Sequence, residues 1–283
     1  AKNLLLSEDV IATVKAIQTL GIKTKINKNE CVVFGKGFNG YRYSKNLIIN
    51  AKNSGTLGRL ILGLLIDTPN SIKLIGDKSL SNRDFKRIVD PLSKFGAKFK
   101  YNRRKNLPLT ILGSQNLKPI NYLEDKGSAQ CKSSIIFAGM RTNGTTFIKA
   151  KKSRNHTELL CKYLNLPIKI KIGKNYDLIK VKKVKKINKI NYDIPSDISS
   201  AAFFLVLTAL SKNSQLTIKN VNINPTRVGI ITILKMMGIK IKIKDQKIYK
   251  GEKIANIQIK STKVIKPINC PPQLNSGAID EFL

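Results

Sequence analysis

The sequence predicts an α/β protein built from repeated helix–strand units and divided into two domains. Two observations carry this. Four segments, 7–26, 81–100, 153–172 and 224–243, share a polar opening, an amphipathic stretch and a basic, β-rich exit. Between them lie helices of a second kind, at 53–65, 127–140 and 196–210, with small polar starts and apolar bodies. The unit helix, strand, helix, strand recurs at about 70 residues, as in chains built of supersecondary repeats.

The elements justify themselves in order. In 7–26, 81–100 and 224–243 the pairs Leu20-Gly21, Phe95-Gly96 and Met237-Gly238 stop the helix, since glycine tolerates the left-handed conformation that ends one. Alternation of isoleucine or phenylalanine with lysine then starts a strand. Pro91 lies inside the second of these helices, where it removes a backbone donor and bends or shifts the helix. Each helix of the second kind leads through a turn to a strand, at 71–76, 145–150 and 215–220. Arg83, Arg154 and Arg227 stand near the start of the second helix in three units, 71 residues apart (83 to 154) and 73 apart (154 to 227). The stretch 101–126, rich in Lys, Asn and Pro, reads as an excursion within a unit. The lysine-rich stretch 180–193, ending at Ile194-Pro195, reads as the domain boundary, giving 1–194 and 195–283.

Composition narrows the function. The net charge is +35, with 52 basic residues, of which nine are arginine. The remaining lysines are spread along the chain with no aromatic-basic RNA-binding motif and no basic tail, so nucleic acid is not the expected partner. The field instead draws small anions into any cleft. Because lysine is the common cation here, each arginine marks a place where a planar fork is wanted. No apolar run is long enough to span a membrane and no signal-peptide pattern is present. Cys31, Cys131, Cys161 and Cys270 lack paired spacing and His156 is the lone histidine, so neither a disulfide scaffold nor a zinc site is expected. A reducing cytoplasm fits best.

Residues 127–140 are the most telling stretch. Ile135, Ile136, Phe137, Ala138 and Met140 make a buried helix, while Ser128 is a natural N-cap. The exposed backbone N–H groups of its first turn, the positive end of the helix dipole and Lys132 together suit an anion. The competing reading is an ordinary capped core helix. Helix N-termini repeated around a shared axis would converge and favour the anion site.

With these residues assembled, the chain resembles the 5-enolpyruvylshikimate-3-phosphate synthases, the enolpyruvyl transferases of aromatic amino-acid biosynthesis. Motifs match in order: Asn-Leu-Leu-Leu-Ser-Glu-Asp (3–9), Asn-Ser-Gly-Thr (53–56), Gly-Asp-Lys-Ser-Leu-Ser-Asn-Arg (76–83) and Ser-Ala-Gln-x-Lys-Ser (128–133). Ser-Arg-x-His-Thr-Glu (153–158), Ser-Asp-Ile-Ser-Ser-Ala-Ala-Phe-Phe-Leu (196–205), Asn-Ile-Asn-Pro-Thr-Arg (222–227) and Ile-Asp-Glu (279–281) follow. The resemblance implies an enolpyruvyl transferase fold: two domains of βαβαββ units around a pseudo-threefold axis, an inside-out α/β barrel with helices inside and sheets outside. On that reading 1–194 is most of the middle domain and 195–283 the beginning of the second. It also implies an internal fragment. The chain begins Ala-Lys-Asn, stops at Phe282-Leu283, and lacks the family's Lys-Ser-x-x-x-Arg, Lys-Glu-x-x-Arg and Asp-His-Arg motifs.

The family transfers the enolpyruvyl group of phosphoenolpyruvate to shikimate 3-phosphate, with release of phosphate, needing neither metal nor cofactor. The resemblance assigns Ser128, Ala129, Gln130 and Arg154 to shikimate 3-phosphate, and Gly55, Arg83 and Gln130 to phosphoenolpyruvate. It makes Asp280 both a contact to the sugar and the proton acceptor for the attacking hydroxyl. Arg59, Asp197, Arg227 and His156 read as structural. The implied protein is a cytoplasmic monomer acting on these two small molecules. Gly55 further implies sensitivity to glyphosate, which in the family occupies the phosphoenolpyruvate site and is resisted by some members with alanine at that position. The related UDP-N-acetylglucosamine enolpyruvyl transferases are the nearest alternative, but their Pro-Cys-x-x-Gly loop motif is absent. A non-catalytic basic nucleic-acid-binding protein is the alternative from another class; salt-dependent DNA binding without affinity for shikimate 3-phosphate would mark it. With three contact motifs absent, phosphate release by the 283-residue chain alone is expected at background. A normal turnover rate from the purified chain would contradict that.

Overall fold

The computed structural model of the chain describes residues 1–101, 104 and 106–281. Phe282 and Leu283, the expected chain end, lie outside the described residues. Two compact units emerge, 1–152 with 164–192, and 153–163 with 193–283.

The chain enters unit one through helix α1 (Glu8–Thr19) and the antiparallel hairpin of β1 (Thr24–Asn27) and β2 (Glu30–Val33). A full repeat follows: β3 (Leu47–Asn50), α2 (Gly55–Leu64), β4 (Ile72–Ile75), a short turn α3 (Lys78–Ser81), α4 (Lys86–Lys94), β5 (Lys98–Lys100) and β6 (Leu109–Leu112). Its sheet has the order β3-β4-β6-β5, with β3 parallel to β4 and the other pairs antiparallel. The second repeat copies it: β7 (Asn121–Glu124), α5 (Ala129–Arg141), β8 (Thr145–Lys151), α6 (His156–Tyr163), β9 (Ile168–Lys171) and β10 (Tyr176–Lys182), in the sheet order β7-β8-β10-β9. The expected βαβαββ unit is therefore present twice. The stretch 101–126 is more than an excursion, because β6 and β7 fall within it. Four-residue strands beside prolines are too short to show alternation in a sequence.

Unit two holds the third copy, α7 (Ile198–Leu210), β11 (Gln215–Asn222), α8 (Gly229–Met236), β12 (Ile241–Tyr249) and β13 (Glu252–Lys260), followed by the short helix α9 (Asn275–Ala278). Its sheet order is β11-β13-β12, and a single parallel bridge from Ser196 to Val221 stands where the other copies have a first strand. Helix α6 belongs to this unit. Segment 153–163, which the division at 194 assigns to the first domain, groups with 193–283 because α6 packs on β13 and Asn155 and His156 bond into it.

The three glycine stops take positive φ, +80° at Gly21, +112° at Gly96 and +88° at Gly238; in the remaining copy Asn165 does the same at 52°. Strand alternation works as expected. In β8 and β10, Ile148, Ile179 and Val181 are buried while Lys149, Lys180 and Lys182 face outward. Helix α5 is buried on nearly every side, packed by α2, α4, β8 and β10. Its contact with α2 is close enough that a Cβ on Gly63 would lie 2.2 Å from the carbonyl oxygen of Ser134.

Pro91 does not break α4. Its missing N–H would have bonded the Arg87 carbonyl one turn back. That carbonyl accepts instead from the Cys131 thiol at 3.0 Å, fastening α4 to the first turn of α5. Burial above all, then Glu124, pushes the Cys131 thiol up to about 12, which keeps it protonated as a donor at neutral pH.

Candidate active site

Three helix starts occupy the same place in their repeats and are capped the same way. Ser54 Oγ accepts the Leu57 N–H at 3.2 Å on α2, Ser128 Oγ accepts the Cys131 N–H at 3.3 Å on α5, and Asp197 Oδ2 accepts the Ser200 N–H at 2.9 Å on α7. The turn before Ser128 is itself pinned. The buried Glu124, at the end of β7, accepts the N–H groups of Lys126 and Ser128 at 3.2 and 3.0 Å through one oxygen.

In unit one the first two starts flank a cleft of about 450 Å³, lined by Asn53, Gly55, Thr56, Arg83 and Gln130 on one side and Ser7, Glu8 and Asp9 on another. Gln130 joins the two helices, donating from Nε2 to Thr56 Oγ1 at 3.0 Å. Arg83 follows α3, whose start is capped by Asp77 accepting the Leu80 N–H at 2.7 Å, and it reaches Asn53 Oδ1 at 3.4 Å. Behind the cleft, Arg59 donates to Gln130 Oε1 at 2.7 Å and lies 5.4 Å from the centre of the Phe85 ring. Burial above all, then the neighbouring Arg87 and Arg83, lowers the Arg59 pKa from its ordinary range. Among the described residues no carboxylate bridges Arg59, Arg83 or Arg87. Clustered guanidiniums that no carboxylate bridges, beside two helix N-termini, suit an anion even with Glu8 and Asp9 on another side of the cleft.

Unit two closes the equivalent place with its own acids. Asp197 takes Arg227 in an ion pair at 2.9 Å, Arg227 also donates to Ser199, and Ser199 bonds Glu281. Asp280, in the 3-10 turn Ile279–Glu281, forms an ion pair with Arg154. His156 is held by a carboxylate: its Nδ1 lies 2.6 Å from the buried Glu252, which also accepts from Asn224 at 3.1 Å. Burial alone would raise the Glu252 carboxyl, but these bonds outweigh it and hold the group below its ordinary value.

Of the residues singled out from sequence, Gly55, Arg83 and Gln130 thus line one cleft, and Ser128 and Ala129 begin the helix that presents Gln130. Arg154 and Asp280 meet in unit two. Lys132 is buried, at 1% exposure, and does not line the cleft. Asp197 and Arg227 make the cap and ion pair expected of structural residues. Arg59 was not separable from them by sequence, since its partner lies 71 residues away. Among the described residues no cluster of His, Cys, Asp and Glu could hold a metal ion, and no helix is long and apolar enough to cross a membrane.

Capped helix starts repeated through βαβαββ units define a protein of the enolpyruvyl transferase fold. The family model for EPSP synthase (3-phosphoshikimate 1-carboxyvinyltransferase) matches residues 1–272, and the chain belongs to that family. It is 40% identical over 277 residues to the 3-phosphoshikimate 1-carboxyvinyltransferase of Vesicomyosocius okutanii, covering 97% of this chain and 62% of the relative. Against the enzyme of the same name from Petrotoga mobilis it is 39% identical over 285 residues, covering 99% of this chain and 64% of the relative. The solved EPSP synthase of Acinetobacter baumannii superposes with a TM-score of 0.86 at 36% identity, over 98% of this chain and 62% of that one. The chain therefore spans somewhat under two thirds of the length of these relatives.

Proposed function

We propose that this chain supplies much of the site of an enolpyruvyl transferase that joins phosphoenolpyruvate to shikimate 3-phosphate and releases phosphate. The observation that carries this reading is the cleft of unit one, where Gly55, Arg83 and Gln130 converge from three distant segments on an anion-sized space without bridging carboxylates. In the reaction, the sugar hydroxyl oxygen bonds to C2 of phosphoenolpyruvate while its methylene carbon gains a proton. The C–O bond to phosphate then breaks, phosphate leaves and the methyl group gives up a proton, so the carbon–carbon double bond re-forms as a vinyl ether of the sugar. Arg83 and Gln130 hold phosphoenolpyruvate by charge-assisted bonds, and Ser128, Ala129, Gln130 and Arg154 hold the sugar phosphate. Asp280 takes the hydroxyl proton. The protein works as a cytoplasmic monomer on two small molecules; four free cysteines support the reducing location.

Calorimetric titration of the chain with shikimate 3-phosphate, then with phosphoenolpyruvate, tests the reading. Saturable binding of the sugar phosphate, with none of UDP-N-acetylglucosamine, is expected; its absence would overturn the assignment. Arg83→Lys keeps the charge but loses the fork, so phosphoenolpyruvate affinity falls by about tenfold. Unchanged affinity would remove Arg83 from the site.

Gly55→Ala tests the wall of the cleft. A Cβ there lies 2.9 Å from Arg59 Nη1 and 3.4 Å from Arg83 Nη1, so the methyl enters the guanidinium pocket. Glyphosate, the longer ligand, loses more affinity than phosphoenolpyruvate. Equal loss of both, measured by inhibition at several phosphoenolpyruvate concentrations, would make Gly55 a hinge only.

A further inference from the structure

Arg59 does not line the cleft, yet its guanidinium is partly buried beside it. It is partly desolvated against the fully buried Phe85, its Nε is buried without a partner, and no carboxylate among the described residues bridges it. Among the described residues, its one hydrogen bond to a side chain is the 2.7 Å bond to Gln130 Oε1. A guanidinium can only donate, so the group that faces it must be the amide oxygen. A flipped amide would set donor against donor beside a half-buried charge and forfeit the charge-assisted bond. With the oxygen committed to Arg59 and one N–H committed to Thr56, Gln130 keeps its second N–H for the cleft.

We propose that Arg59 is a positioning residue that holds the Gln130 amide as a hydrogen-bond donor toward the anion in the cleft. The proposal rests on the reading that this cleft binds phosphoenolpyruvate. The consequence is selectivity by polarity. Arg83 and Gln130 then both offer donors to the bound group, which suits a carboxylate or phosphate, an acceptor with no proton to give. An amide in the same place would meet donors with its own NH₂. Arg59 thus contributes through Gln130, and also sets the direction in which Gln130 can be read.

A double-mutant cycle on the 283-residue chain saturated with shikimate 3-phosphate, titrated with phosphoenolpyruvate, tests this. Arg59→Lys is expected to weaken phosphoenolpyruvate by about tenfold or more, the scale of a lost hydrogen bond to a charged group. On a Gln130→Ala background the same change has no further effect. Equal weakening on both backgrounds would show that Arg59 acts on the ligand directly or through its field, and would overturn the proposal. Gln130→Glu gives a second arm that does not depend on the lysine variant folding. It keeps a partner for Arg59 and removes the donor, so thermal stability holds while phosphoenolpyruvate binding is lost; retained binding would overturn the proposal. A third readout needs no ligand. The Gln130 side-chain N–H resonances, held at their own shifts by the bonds to Arg59 and Thr56, move toward the positions of a free amide and exchange faster with solvent when Arg59 becomes lysine, and unchanged resonances in that variant would refute the positioning role. Failure of the parent to bind either substrate would instead strike the functional reading and leave this last measurement to decide the role of Arg59.

Discussion

Asp280→Asn lowers turnover by about 10²–10⁴-fold, the usual cost of removing a general base, in a protein spanning the full length of the relatives. Asparagine keeps the size of the side chain and an oxygen for Arg154, but cannot accept the hydroxyl proton. Affinity for shikimate 3-phosphate is retained. The Arg154–Asp280 pair is partly exposed on both sides, 34% and 48%, and such pairs add little stability. On the proposed reading the sugar phosphate takes Arg154 without breaking a strong contact, and the neutral asparagine competes for it less than the carboxylate does. Steady-state kinetics with both substrates varied decide the matter. A near-normal rate in the asparagine variant would remove Asp280 from the mechanism.

Gly63→Ala is the corresponding test of the scaffold. A methyl on Gly63 meets the Ser134 carbonyl oxygen at 2.2 Å and its hydroxyl at 2.9 Å, so the backbones of α2 and α5 must move apart. Overpacking of this kind costs about 1–3 kcal/mol and sometimes more. The urea midpoint falls accordingly. Because the capped starts of these two helices flank the cleft, phosphoenolpyruvate affinity falls as well. Gly35→Ala is the control, since nothing lies within 4 Å of its Cβ and both quantities should hold. An unchanged midpoint for Gly63→Ala would mean that the two helices are not locked at this crossing.

Much of this molecule could be read from residues alone, and the reasons are local. Glycine stops, serine and aspartate caps and the Ile/Lys alternation each act within a few residues, so they mark the same helices and strands in the sequence and in the fold. Strands β2, β3, β6, β7, β10 and β13 were not legible. Several are only four residues long, and β10 runs into the lysine-rich stretch that looks like a linker, because its charged residues face outward while Ile179 and Val181 are buried. The His156–Glu252 contact was equally hidden, its partners lying 96 positions apart.

The sequence by itself determined the repeat, the places where helices begin and end, and the motif residues Gly55, Ser128, Gln130, Arg83, Arg154 and Asp280. The repeat and the helix ends are written in backbone preferences, and the motif residues are what the resemblance to a family implied. Only the tertiary structure decided which of them share a space. It put Gly55, Arg83 and Gln130 around one cleft, set Arg59 behind Gln130, gave the Arg87 carbonyl to Cys131 in place of the N–H that Pro91 lacks, and let Asp197 neutralise Arg227. Those outcomes depend on side chains from distant segments competing for the same donors, acceptors and volume, and that competition takes place only once the sheets and helices have packed.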